Sequence, residues 1–581
     1  MRLIAVAFSL FAGLAHGAVE PFFAPPVPVG TLTVRLHPTE VVLPGNATRV
    51  TFGVPFPRGS LTAAQLSTLR VLRGGIEIPA HVEMLTPWRH RTNAAIDGQS
   101  VRVALVQVEV AFASAFPSSD TIVVEWGTTP RTLDVPSRQD PRSAWHLVTT
   151  GTFVASDAVM EPDVYAVLPA AWLSQGLLKP SRTTAFADPS PAARDDPAVN
   201  DAIATWPGFE ESERAFKNNF FSVINRDDPA VTVGNQCPYK TVAEPWLYDR
   251  AATMFVLHFR SGGFDALREA TRATQFYANR LDANGFFTLA PSDSKYAYNE
   301  SLAYAYWLTG DVALAERIGR VVVAHAGYPH VWTAQRNFWT ERHAAFKLLA
   351  NVVAYEVAGS TTHRDAVESI LAAFRAHQDG AGGVIPANRI DGGLYHTGTQ
   401  HSGDWAASSY GASSWMTALL TDAAVRAYAT GEDAATAQFL VRAARFLDAT
   451  TITTTANSYD SALALALPRY AMLADGSDAQ VNTDDVEHAL DVAGQIAWGA
   501  YFSGLAGARE PALVQGVADL YATYDVGVNF WIRPAGPSAG NTAFRVSPWR
   551  KWGWEHRTSD ALRFAMTDAP ATLPLFADGF E

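Results

Sequence analysis

The feature that most constrains this chain is a helical hairpin that recurs after about residue 206. Its turns are Ser261-Gly262-Gly263, Thr309-Gly310-Asp311, Ala358-Gly359-Ser360, Thr430-Gly431-Glu432 and Ala506-Gly507-Ala508. Apolar residues flank each turn at helical spacing, as in Leu302-Ala303-Tyr304-Ala305-Tyr306-Trp307-Leu308 before one and Ala313, Leu314, Ala315 and Ile318 after it. One such hairpin cannot bury its apolar faces alone, so neighbours must stack. The turns are unevenly spaced, with inserts near 380–405 and 450–480, which predicts a closed (α/α)n toroid over 206–565 rather than an open solenoid. A toroid gathers its loops and inner-helix ends around one cleft.

Before the hairpins the period is two. Thr31–Leu36, Arg49–Phe56, Ile76–Leu85, Val101–Phe112 and Thr121–Trp126 read as strands punctuated by Pro, Gly and Ser, predicting an N-terminal antiparallel β-sandwich or barrel over 28–175. Residues 176–205, with Asp188-Pro189-Ser190-Pro191, read as a linker that packs against both domains. Trp172, Leu173, Leu177 and Leu178 are expected to be buried beside it. At the start, Met1-Arg2, the apolar run Leu3–Leu14 and Ala15-His16-Gly17-Ala18 form an expected signal peptide over 1–18, implying a secreted protein, periplasmic or extracellular. No later apolar run has the length of a membrane anchor. Residues 566–581 are expected to be a tail.

With 581 residues, 48% of them hydrophobic, the chain can bury a large core in more than one domain. A single cysteine, Cys237, excludes an intramolecular disulfide. The net charge of −13 argues against a nucleic-acid partner, which requires clustered cations. A local basic groove could still bind an acidic polymer.

Val54-Pro55-Phe56-Pro57-Arg58-Gly59, Gly75-Ile76-Glu77-Ile78-Pro79-Ala80 and Asp97-Gly98-Gln99-Ser100-Val101-Arg102 together resemble the N-terminal β domain of exo-rhamnogalacturonan-lyase-like proteins. The helical part is similar to the toroids of polysaccharide lyases and of several glycoside hydrolase families. The large C-terminal β-sandwich of many such lyases is not expected here, since only about 30 residues follow the last helical stretch. The resemblance implies a carbohydrate polymer as substrate.

Three clusters carry groups suited to such chemistry. On an expected helix Arg336–Ala354, residues Arg336, Thr340, His343 and Lys347 fall at i, i+4, i+7 and i+11 and form one largely basic stripe. On an inner helix the stripe would face the cleft and bind a sugar carboxylate; on an outer helix it would be a solvated face. The glycine-rich stretch 379–405 contains Arg389, Asp391, Tyr395, His396, His401, Asp404 and Trp405 and shows neither helical nor strand period. It reads as a loop serving a site or as an insertion packed over the ring. A metal held by His396, His401 and Asp404 is the lesser reading there, because the spacing matches no standard zinc motif. Third, Lys295-Tyr296-Ala297-Tyr298-Asn299-Glu300 leads into a helix. Asn299 is either a cap or, as the resemblance implies, a neutraliser of the substrate acid. Trp246, Trp339, Trp405 and the Trp549–His556 cluster offer faces for sugar stacking or for the core.

The resulting expectation is a polysaccharide lyase that cleaves a uronic-acid polymer by β-elimination. Elimination needs a carboxylate neutraliser, a base for the C5 proton and an acid for the leaving oxygen. Asn299 and Arg336 are assigned to neutralisation, His343 or His396 to proton abstraction and Tyr395 to the leaving-group side. Lys295, Tyr298, Glu300, Trp339, Lys347, Arg389, His401 and Trp405 are assigned to substrate binding, with no metal or cofactor required. One alternative is a hydrolase using Glu300 with Asp404, or Glu244 with Asp249. The other is a glycan-binding protein without catalysis.

Overall fold

The computed structural model describes residues 19–149, 151, 153–185, 213, 239–328, 330, 340–381, 385–457, 460–479, 488–531 and 550–567, apart from the side chains of 528–531, 551, 552 and 554. The expected signal peptide, Cys237, Arg336, Trp339, Trp549 and nearly all of the expected tail lie outside the described residues.

Two antiparallel sheets share a core in the N-terminal region. One has the order β10-β1-β7-β3-β4, built from Val164–Val167, Gly30–Pro38, Asp120–Trp126, Arg70–Arg73 and Ile76–Ile78. The other has the order β2-β6-β5, from Ala47–Pro55, Val101–Ala111 and Ala80–Pro87. β8 (Trp145–Leu147) and β9 (Met160–Pro162) form a separate pair. The alternation in β1 buries Leu32, Val34 and Leu36 on one face. The expected single strand 76–85 is instead two strands in different sheets. The chain changes sheets at Pro79, which has no N–H to continue a ladder. β3, β8, β9 and β10 were not legible, being three or four residues each.

The helices form two concentric layers. The odd-numbered are α1 (Arg250–Ser261), α3 (Glu300–Thr309), α5 (Glu341–Ala358), α7 (Ser414–Ala429), α9 (Ala489–Leu505) and α11 (Lys551–Arg557). Each packs on the next, and α11 packs back on α1, closing the ring. The even-numbered α2 (Phe264–Ala278), α4 (Val312–Ala324), α6 (Thr361–Gln378), α8 (Ala434–Ala449) and α10 (Pro511–Trp531) lie outside, with α12 (Leu562–Met566) against α9. Inner and outer helices differ as their places require. α3 and α7 are buried on every side, whereas α4, α6 and α8 bury one stripe, such as Leu314, Ile318 and Val321.

Two boundaries differ from expectation. α5 begins at Glu341, because Thr340 is extended, so the stripe helix is shorter than expected. The 379–405 stretch contains β11 (His396–Thr397), which joins β12 (Tyr410–Ser413) and β15 (Ala471–Leu473) in a small sheet. β13 (Thr451–Thr454) and β14 (Leu465–Pro468) form a hairpin beside it.

The turns that follow α1, α3, α5 and α7 face the β domain. Arg35 donates to the carbonyl of Gly262 at 3.0 Å and Arg138 to that of Gly310 at 2.7 Å. The guanidinium of Arg89 lies against Gly359, and Arg91 donates through its backbone to Thr430 and through Nε to the carbonyl of Ala427. These are helix C-termini, whose last carbonyls lack intrahelical donors and carry the negative end of the dipole. Arg35, Arg138 and Arg91 therefore satisfy both needs, and Arg89 adds its charge. A glycine is required where β2 meets α3: a Cβ on Gly53 would stand 1.7 Å from the carbonyl oxygen of Trp307.

Deeper in the ring, side chains of non-adjacent inner helices meet on its axis. Glu300 of α3 pairs with Arg426 of α7 at 2.6 Å and with Arg557 of α11. Arg426 also pairs with Glu356 of α5, which accepts from Arg102 of β6 at 2.7 Å. Arg102 in turn donates to the carbonyls of Leu177 and Leu178, both 1% exposed. Leu173 is buried as well, while Trp172 is half-buried with its indole N–H on Pro55. Lys179 reaches Asp560 and the carbonyl of Arg557, so 176–185 also clamps the ring closure.

Arg102→Ala would leave Glu356 facing a buried gap, and should lower the unfolding free energy by about 3–5 kcal/mol. Arg364→Ala, at an exposed pair with Asp365, should change it by less than about 1 kcal/mol. Urea titration of both variants checks the contrast.

A second interfacial network is pH-sensitive. Glu161 accepts from Arg268 and Arg272 of α2 and lies 3.2 Å from His146. Burial alone would lower the His146 imidazole, but hydrogen bonds to Asp163 and Glu161 outweigh it and hold it up to about 9. A raised pKa means protonation stabilises the fold: the contribution is full below about 6.5 and disappears as the pH rises through about 9. Because His146 is partly exposed, about 1 kcal/mol is expected. Thermal unfolding from pH 6 to 10 should show this loss in the wild type, and a flatter profile in His146→Gln.

Candidate active site

The β domain covers the C-terminal ends of the inner helices, so their N-terminal ends surround the opposite mouth. Positive dipole ends of parallel helices there favour an anion. Side chains from five of these ends converge.

Tyr248 and Asp249, just before α1, both adopt left-handed backbone, with φ of 71° and 61°. Such geometry costs energy in residues with a Cβ and must be enforced by the surroundings. Here Tyr248 N–H donates to the hydroxyl of Tyr298 at 2.8 Å, while Asp249 caps α1 through Ala252 N–H at 3.0 Å and accepts from Ser301 at 3.2 Å. The Tyr248 ring meets the Trp415 ring edge-on at 6.2 Å. Trp415, in the first turn of α7, stacks on His488 at 4.8 Å and 9° and carries the Arg342 guanidinium 5.5 Å from its ring centre. His488 Nδ1 lies 3.1 Å from Asp491 Oδ2, an i,i+3 pair at the start of α9. Burial pushes the Tyr248 phenol up, with Arg342 and Arg550 pulling the other way. Burial likewise raises Asp491, against the pull of His488. All these residues except Arg550 are buried.

Beside this group, Glu341 in the first turn of α5 accepts from Ser413 N–H at 2.8 Å, with His396 Nδ1 at 3.7 Å. His396 Nε2 lies 2.8 Å from His401 Nδ1, and His401 Nε2 lies 3.3 Å from Asp404. Trp405 covers His401 with ring centres 4.5 Å apart. Burial pushes Glu341 up to about 8 and both imidazoles down. Glu341, His396 and His401 each offer a donor atom within 4.8 Å of the others.

The structure distributes the residues singled out from sequence among several tasks. His343 stacks on Tyr328 at 4.9 Å and lies near Arg342 and Lys295, so burial first and then these cations push its imidazole well down. Lys347 donates to the carbonyl of Tyr328, and Lys295 pairs with Asp293 at 3.1 Å. Tyr298 braces Tyr248. Asn299 is 1% exposed and donates to the carbonyl of Ala350 at 2.9 Å, so its amide pins α3 to α5 and makes no cap bond. Glu300 belongs to the axial network; burial opposes its ionisation, but Arg557 and Arg426 hold its carboxyl below the ordinary range. It is therefore placed apart from Asp404, its expected partner in hydrolysis. In the other expected pair, Glu244 accepts from Arg550 N–H and Asp249 is occupied as a cap. Tyr395, fully buried, donates to the carbonyl of Ile390, and Arg389 to that of Gln378. Both hold the insert together. Trp246 stacks on Phe276 in the core.

Sequence reasoning missed Tyr248, Arg342, Trp415, His488 and Asp491. Their common signal is position in or just before the first turn of an inner helix, and His488-x-x-Asp491 was the spacing most open to notice.

No family model matches the chain, and no curated protein matches it. Among solved structures, one similar to it is an unsaturated glucuronyl hydrolase specific for heparin, at TM-score 0.36 and 11% identity over 59% of this chain and 91% of that one. Another is an unsaturated glucuronyl hydrolase from Streptococcus agalactiae, at TM-score 0.36 and 10% identity over 66% of this chain and 97% of that one. Likeness at this level assigns no role to any residue here.

Proposed function

We propose that this protein is a secreted glycan-degrading enzyme that cleaves a uronic-acid-containing polysaccharide by β-elimination at the mouth of the helical ring. The observation that supports this most is the convergence of Tyr248, Arg342, Trp415 and the His488–Asp491 pair from separate inner helices. Elimination removes a proton from C5, forms a C4–C5 double bond and breaks the C4–O bond, so negative charge grows on the C5 carboxylate in the transition state. Arg342, helped by the surrounding helix N-termini, is the group to neutralise it. Asp491 at Nδ1 of His488 fixes the tautomer with the lone pair on Nε2, which accepts the C5 proton. Burial keeps the Tyr248 phenol neutral, the form that can protonate the leaving oxygen. Trp415 offers an apolar face for a pyranose ring. Tyr298 is a positioning residue acting through the backbone of Tyr248.

Incubation with pectic, alginate, glucuronan and glycosaminoglycan polymers should generate the ultraviolet absorbance of unsaturated uronates along with new reducing ends on at least one of them. Reducing ends without that absorbance would replace elimination with hydrolysis. Arg342→Ala and Tyr248→Phe should each lower kcat by about 10²–10³-fold, the loss seen on removing one preorganised donor. Far-UV circular dichroism should be unchanged. Full activity in both variants would remove this cluster from the chemistry.

A further inference from the structure

The geometry points to a binding site for one divalent cation of the zinc class formed by Glu341, His396 and His401, which goes beyond the glycan chemistry and does not depend on it. Two imidazoles and a carboxylate are a donor set that zinc favours, and three protein ligands leave a fourth position on a tetrahedral ion. The three donors lie within 4.8 Å of one another and come from the start of α5, from β11 and from the loop after it. All three residues are fully buried, where polar atoms need partners.

One feature of the hydrogen-bonding pattern favours a cation over a purely structural cluster, and a second admits it. Glu341 Oε1 accepts from Ser413 N–H, but its Oε2 is buried and accepts no hydrogen bond among the described residues. The imidazoles supply the second. The carbonyl of Leu394 lies 3.3 Å from His396 Nδ1, which places that ring's proton on Nδ1 and its lone pair on Nε2. Asp404 lies 3.3 Å from His401 Nε2 with no hydrogen bond between them, so the His401 proton can sit on either nitrogen. His396 Nε2 therefore turns its lone pair toward His401 Nδ1 at 2.8 Å, and a cation entering between them would take a lone pair from each ring, with the His401 proton on Nε2 beside Asp404. Zn–N bonds of about 2.0–2.1 Å separate tetrahedral ligand atoms by roughly 3.3 Å, so the rings need part by well under an ångström. The carbonyl of Leu394 and the carboxylate of Asp404 stand beside the outer ring nitrogens, where carbonyls and carboxylates back metal-bound histidines.

Because the site is buried, the full-length protein should be produced in zinc-supplemented medium and its metal measured after gel filtration. A matched sample should be refolded with Co²⁺ after chelation. About one equivalent of zinc, and the intense visible d–d bands of tetrahedral cobalt, are expected. Asp404→Asn should keep the fold and weaken zinc affinity roughly 10–100-fold in a chelator competition, as loss of such an outer partner does. His396→Ala with His401→Ala should abolish the cobalt bands. Wild-type protein with less than about 0.1 equivalent of zinc and no cobalt bands would overturn the site, since a structural donor set of this kind saturates at trace metal. So would undiminished binding in the double variant.

Discussion

The buried ion network on the ring axis, Arg102–Glu356–Arg426–Glu300–Arg557, is the interaction on which the rest of the structure depends. It joins the β domain to α3, α5, α7 and α11 at once, and with Lys179, Asp422 and Asp560 its formal charges cancel. Buried charges survive only when each is paired and hydrogen-bonded. No pair here is complete without a third partner, so none of α3, α5, α7 and α11 can slide against the others without exposing a charge to an apolar surround. The network selects one register for the ring, while its apolar packing supplies the driving force.

That choice gives the molecule two unlike ends. At one, helix C-termini accept from Arg35, Arg138 and Arg91 of the β domain, with the Arg89 guanidinium beside Gly359. At the other, helix N-termini surround Tyr248, Arg342, Trp415 and His488. The polarity follows from connectivity. The inner helices α1, α3, α5 and α7 leave through tight turns toward the β domain, and α3, α5, α7 and α9 are each entered through a longer connection. A net charge of −13 is thus compatible with a mouth that favours anions, because helix dipoles and Arg342 act over the first turn while surface acids are screened at a distance.

How much of this the sequence displayed depends on whether a signal was local. The turns at Gly262, Gly310, Gly359 and Gly507 were legible because left-handed helix ends favour glycine; in the turn at 430–432 the left-handed residue is Glu432, φ 49°, beside Gly431. The longer strands were legible from their alternation, whereas β8 and β9 are too short to show one. The clusters were harder. His396 and His401 were visible as neighbours, but their third partner, Glu341, lies more than fifty residues upstream and was passed over in a helix expected to start at Arg336. Asn299 and Glu300 were noticed for their chemistry, yet a helix start tells nothing of whether a side chain faces the mouth or the axis. Tyr395 illustrates the converse: a proton-transfer residue type in a glycine-rich loop that holds the loop's own backbone.

The central claim is that the axial network and the arginine caps make β domain and ring one cooperative body. Differential scanning calorimetry of the full-length protein tests it most directly. A single transition with equal calorimetric and van't Hoff enthalpies, split into two by Arg102→Ala, is the predicted result. Two separate transitions in the wild type, for β domain and ring, would contradict the account.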